Sequence, residues 1–184
     1  MATALQVSRT PLREAIRRLI SESLLEQQST GGVLVPTLDK GVIAELYGVR
    51  AALESLMARE ACAKATPADI ANLEGIVERN AAMVKFADEA MKYGMALHTA
   101  IGDIAGNSWA QRFHDQVSSQ MERYRHFTNS TQERRDHALA EHRILVETLA
   151  SGKPEAAAKI AFDHVVGARD AAVRAVSGTA PVLP

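Results

Sequence analysis

The sequence predicts a chain dominated by α-helix: a short helix and a small β-hairpin at the N-terminus, then an antiparallel bundle of about six helices. Three observations predict it. From Lys40 almost to the end, apolar residues recur at helical spacing with only short breaks. No strand-like alternation recurs after Pro36. Before it, an amphipathic segment runs straight into two short runs around Gly31-Gly32, the glycines supplying the positive φ of a tight turn. The chain has 184 residues, 47% of them apolar, enough for a core without disulfides. The expected organisation is a partial N-terminal domain over residues 1–37, a helical domain over 38–176 and a tail over 177–184.

The first element is a helix through Val7-Ser8-Arg9-Thr10-Pro11-Leu12-Arg13-Glu14-Ala15-Ile16-Arg17-Arg18-Leu19. Leu12, Ala15, Ile16, Leu19 and Ile20 share one face, which reads as core. Arg9, Arg13 and Arg17 recur every fourth residue on another. Thr10-Pro11 supplies a cap and a first-turn proline, with Ser8 as the alternative cap. Guanidinium groups near a helix N-terminus suit a DNA major groove, where Arg reads guanine bidentately and hydroxyls grip phosphates. The plainer alternative is a solvated face with pairs such as Arg13 or Arg18 to Glu14. The residues after the helix favour the groove: Leu24 to Gln28, then Ser29-Thr30-Gly31-Gly32, then Val33-Leu34-Val35-Pro36 make a hairpin. A helix followed at once by a hairpin is the second half of a winged helix-turn-helix.

Pro36-Thr37-Leu38-Asp39 marks the boundary. A helix is expected from Lys40 to Lys64, with Val42, Ile43, Leu46, Val49, Leu53, Leu56 and Met57 as its core stripe. Thr66-Pro67-Ala68-Asp69 is a helix start, with Thr as cap, Pro first and Asp in the first turn, and that helix reaches about Met83. The next spans about Phe86 to Ile104 and stops at Ala105-Gly106-Asn107. A fourth runs from Ser108 to about Phe127. Thr128-Asn129-Ser130 breaks it, and a fifth reaches Ala150. Ser151-Gly152-Lys153-Pro154 stops and restarts the chain, and the last helix reaches about Ala175.

The formal net charge of −1 does not advertise a nucleic-acid binder, but Arg9 to Arg18 holds four arginines against one glutamate. Local charge sets phosphate attraction. Cys62 is the only cysteine, so no internal disulfide forms, which fits a reducing cytoplasm. Its helical, apolar setting reads as packing. No apolar run is long enough to span a bilayer. Three Tyr, four Phe and one Trp make no stacking platform for single strands.

Three of the six histidines fall on inward helix faces: His98 with Met91, Gly94, Met95 and Ile101, His142 with Ala138, Leu145 and Leu149, and His164 after Ile160 and Ala161. A buried imidazole is costly unless its nitrogens find partners. Each alone reads as a hydrogen-bonded core histidine. Three on separate bundle helices also suit a divalent metal such as Zn²⁺ or Ni²⁺. His114, His126 and His137 sit on polar stretches and are expected at the surface. Arg50 interrupts a core stripe. It reads either as an interhelical salt bridge or as a clamp on a ligand carboxylate.

Val7 to Ala15 with Arg17-Arg18-Leu19 resembles the recognition helix of the GntR superfamily of transcription regulators, and Leu24-Leu25-Glu26 and Gly31 to Val35 resemble its wing. The rest is similar to the FCD effector domain of the FadR-type branch, through Leu46 to Glu54, Leu97-His98, Ala105-Gly106-Asn107, Glu141-His142 and Ala161 to His164. The resemblance implies that Arg9, Thr10 and Arg13 contact DNA, with Arg17 on the same stripe, and that Gly31 or Gly32 forms the wing tip. It implies a divalent metal on His98, His142 and His164, with Gly94 standing where the family places an acidic ligand. Loss of that oxygen is expected to weaken metal affinity. It implies that Arg50 binds an effector carboxylate. It also implies some thirty residues upstream of the motif, where this sequence has only Met1 to Gln6. The chain therefore reads as N-terminally incomplete and is expected to grip DNA poorly. The expected function is a homodimeric, ligand-responsive, cytoplasmic repressor of operator DNA that senses a small carboxylic acid and does not enter membranes. The rivals are a truncated sensor without DNA binding and a three-histidine metalloenzyme. Against the latter, no general base is placed and an enzyme has no use for the arginine stripe.

Overall fold

The computed structural model describes residues 8–22, 24–36 and 39–178, leaving aside the side chains of 122–128 and 178. Met1 to Val7, Ser23, Thr37 and Leu38 lie outside the described residues, as does the side chain of His126. The chain divides into two compact units, Met1–Asp39 and Lys40–Pro184.

The first unit holds helix α1 (Arg9–Ser21) and strands β1 (Glu26–Gln27) and β2 (Val33–Leu34). The strands pair antiparallel, Glu26 opposite Leu34 and Gln27 opposite Val33. Gly31 and Gly32 turn the chain at φ 86° and 99°, a region closed to most side chains. Ser8, not Thr10, occupies the cap position of α1, and its side chain makes no capping bond. The apolar face expected as core is only half-covered. Leu12, Ile16 and Ile20 are half-buried and Ala15 is exposed, and no residue of α1 is fully buried. Within this unit a two-residue-per-strand hairpin offers too little apolar surface to close it.

The second unit is a bundle of six helices: α2 (Lys40–Lys64), α3 (Pro67–Met83), α4 (Ala87–Ala105), α5 (Ser108–Thr128), α6 (Gln132–Ala150) and α7 (Pro154–Gly178). Helix α2 packs against α4, α5, α6 and α7. Its buried face differs from the expected stripe. Ile43, Tyr47, Ala51, Glu54, Met57, Ala58 and Ala61 are buried, whereas Val42 and Val49 are exposed. Small residues let the neighbouring helices approach closely, and the large aliphatics Leu46, Leu53 and Leu56 flank that seam half-buried.

Thr66 starts α3 through a full capping box. Its hydroxyl accepts the Asp69 N–H at 3.2 Å, and Asp69 Oδ2 accepts the Thr66 N–H at 2.8 Å. Gly106 ends α4 in the left-handed region, φ 64°, and the Lys64 ammonium donates to the last carbonyl, Ala105 O. Helix α7 continues through Ser177 to Gly178, past the expected start of the tail.

Candidate functional site: a three-histidine cavity in the bundle

Three bundle helices each deliver one histidine to a common point. His98 on α4, His142 on α6 and His164 on α7 are all buried, and one nitrogen from each lies within 4.8 Å of the others. Ring centroids stand 5.3 Å apart for His98 and His142, 5.2 Å for His98 and His164, and 4.7 Å for His142 and His164. The rings border a cavity of about 60 Å³ whose wall also carries Arg50, Asn80, Gly94 and Arg134. A groove of about 680 Å³ beside α6 and α7 is larger and shares Arg134 with the cavity, but no buried imidazole lines it.

Two carboxylates back two of the imidazoles. Glu141 Oε2 lies 2.7 Å from His164 Nδ1 and also accepts from Arg134 Nη1 at 3.1 Å. Glu54, buried on α2, collects three groups. Arg50 Nε donates to Oε1 at 2.6 Å, and His114 Nε2 lies 3.2 Å from the same oxygen. His98 Nδ1 stands 2.9 Å from Oε2, an ion-pair distance without the alignment of a hydrogen bond. His142 differs from both: neither of its ring nitrogens has a partner among the described residues, and both are buried.

Burial opposes the charge on Glu54, but Arg50, together with His98 and the His114 contact, outweighs it and holds the carboxyl well below its ordinary range. Burial keeps His98 neutral, with a pKa lowered to about 4 despite the opposing pull of Glu54. Burial, with His164 and His98 beside it, likewise lowers the His142 pKa well below its usual value. His98 and His142 therefore face the cavity as neutral imidazoles at pH 7.

Arg50 makes the salt bridge that its place in the stripe suggested, but within its own helix rather than between helices, and it also lines the cavity. His137 is exposed as expected. His114 is not at the surface. It is 5% exposed, because Ala110, His114 and Met121 share the inner face of α5 in an otherwise polar sequence.

In the first unit Arg9, Thr10, Arg13 and Arg17 are all exposed on α1. Arg18 pairs with Glu22 at 2.9 Å rather than with Glu14. Arg13, Arg17, Gly32 and Gln27 border one groove between the helix and the hairpin.

Residues 45–167 match the FCD domain family, and residues 1–35 match the gntR family of bacterial regulatory proteins. The chain belongs to the GntR family and carries an FCD domain. Like its relatives, this GntR-family protein is a transcription regulator rather than an enzyme. It is 28% identical over 166 residues to the Nta operon transcriptional regulator of Aminobacter aminovorans, covering 90% of this chain and 78% of that protein. It is 28% identical over 126 residues to the gluconate operon transcriptional repressor of Bacillus subtilis, covering 67% of this chain and 51% of the relative. The fold is similar to that of McbR/YncC of E. coli, with a TM-score of 0.75 at 21% identity over 90% of this chain and 80% of that one. Among the described residues, no helix of the regulator is long and apolar enough to cross a membrane.

Sequence reasoning about this GntR regulator missed Glu54, Asn80, His114, Arg134 and Glu141 as parts or supports of the site. For Glu54 and Asn80 a signal existed. Each sits on a buried helical stripe, Glu54 after Tyr47 and Ala51, Asn80 after Leu73 and Val77. A polar residue at a core position needs a reason.

Proposed function

We propose that this regulator is a homodimeric, ligand-responsive repressor whose bundle binds a divalent metal and a small organic acid. The single observation that carries the metal is His142. Two buried ring nitrogens without partners, set between His98 and His164, are costly, and a metal would take the lone pair of the one that carries no proton. With Nδ1 of His98 and of His164 turned to Glu54 and Glu141, their Nε2 atoms are left to serve as donors. Neutral imidazoles suit Zn²⁺ or Ni²⁺. The metal, when bound, supplies a Lewis-acidic point for one carboxylate oxygen. Arg50, on the wall of the same cavity, offers a guanidinium to the other.

Arg9, Thr10, Arg13 and Arg17 would contact operator DNA in the major groove, with Gly31 and Gly32 as the tip of a wing. Two protomers would read the half-sites of a near-palindromic operator in the cytoplasm. The repressor reading draws support from the gluconate operon repressor of Bacillus subtilis, a relative named for that role.

Elemental analysis of the purified chain against His142→Ala tests the metal. Near-stoichiometric metal in the wild type and its loss in the variant are expected; equal content in both would sink the site. Gel-shift titration tests the sensing. A cognate acid shifts operator affinity by its differential affinity for two bundle arrangements. Unchanged operator affinity with every acid that measurably binds would overturn it.

A further inference from the structure

Gly94 presents bare backbone to the histidine cavity, and Asn80 approaches it from a different helix. A Cβ placed at position 94 would stand 3.3 Å from His142 Cε1 and 3.8 Å from Asn80 Nδ2. The imidazole of His142 thus rests almost on the backbone of α4, and the carboxamide of Asn80, on α3, lies beside it. Asn80 is 5% exposed and lines the same cavity as the three histidines.

The three arginines on that wall each have a protein partner. Arg50 and Arg134 pair with Glu54 and Glu141. Arg135 donates to the carbonyls of Val84, Asn129, Ser130 and Lys85 and to Gln132 Oε1. Asn80 makes no side-chain hydrogen bond to any described residue. Its amide faces the cavity without a partner among the described residues and is open to a group held there. The assignment of oxygen and nitrogen in a carboxamide is interchangeable by a flip, so Oδ1 can take the place of Nδ2.

We infer that Asn80 is the fourth protein donor of the metal site, its Oδ1 joining His98, His142 and His164 where Gly94 has no side chain to contribute. This rests on the metal reading above. An amide is neutral, so the four donors leave the full double charge of the ion uncompensated. A carboxylate bound beside Arg50 then offsets half of that charge at the ion itself. The site would accordingly hold its metal more tightly when an organic acid is present.

Zinc titration of the metal-stripped full chain tests the inference, using a competing chelator. Asn80→Leu, similar in volume but without an oxygen, is expected to weaken Zn²⁺ binding about tenfold or more. Asn80→Asp, isosteric and charged, is expected to tighten it by more than about tenfold. Thermal unfolding of each metal-free variant checks that the bundle forms, and Asn80→Asp carries the test if Asn80→Leu does not fold. Wild-type affinity in either folded variant overturns the role of Asn80 while leaving the three-histidine site standing. Absence of zinc binding in the wild type overturns both.

Discussion

At the scale of single residues, Glu54 organises the site more than any histidine does. One buried carboxylate receives Arg50 and contacts His98 and His114, joining α2, α4 and α5. Removing its charge leaves a guanidinium only 12% exposed without its counter-ion. Glu54→Gln is therefore expected to cost about 3 kcal/mol of stability, as other broken buried pairs do. It should also weaken metal binding about 10- to 100-fold, because His98 loses the group behind its Nδ1. Urea unfolding and zinc titration read the two effects separately; a stable variant with intact zinc affinity would show that Glu54 is dispensable. The three histidines were legible because each lies among apolar neighbours in its own helix. Glu54 and Asn80 lie on such stripes too, but what they do there is set by groups on other helices, and His114 had no such stripe to show it. His114 misled most: Gln111, Arg112 and Asp115 make its neighbourhood polar in sequence, while Ala110 and Met121 place it inward in space.

Element boundaries were legible for a different reason: capping is local chemistry. The α2 bounds and the α3 start at Thr66-Pro67-Ala68-Asp69 follow from residues within one turn of each end. The face that α2 buries did not follow, since it depends on four partner helices at once. The Thr66 capping box gives a local test. Thr66→Ala is expected to destabilise the bundle by about 1 kcal/mol in chemical unfolding. The same box carries a pH dependence. The backbone N–H and then the hydroxyl of Thr66 hold the Asp69 carboxyl below its ordinary value of 3.8. Its contribution is therefore complete above the unfolded-chain value and fades as the pH falls through the lower folded value. Asp69→Asn should flatten that acid limb of the stability profile and leave the neutral-pH slope unchanged. An acid limb identical to that of the wild type would show that the box adds nothing to folding.

For the whole molecule, the decisive quantity is where charge sits rather than its sum. A chain of net charge −1 has no general attraction for DNA. Operator binding must then depend on a few groups, and α1 supplies them. Arg18 is engaged with Glu22, whereas Arg9, Arg13 and Arg17 are exposed and make no ion pair with a described residue. If each of the three neutralises one phosphate in a dimeric complex, the logarithm of operator affinity should fall against the logarithm of salt with a slope of about −5. Replacing Arg17 with Ala should reduce that slope by about 1 per protomer and weaken binding evenly across operator variants, the mark of a phosphate contact. An arginine that reads a base behaves otherwise. Its loss relaxes preference at one base pair, at about 1–3 kcal/mol, with discrimination elsewhere intact. Titrations of Arg9→Ala, Arg13→Ala and Arg17→Ala against operator variants at several salt concentrations sort the three. Slopes and preferences unaltered in all of them would remove α1 from the interface, and with it the reason for placing the arginine stripe in the groove.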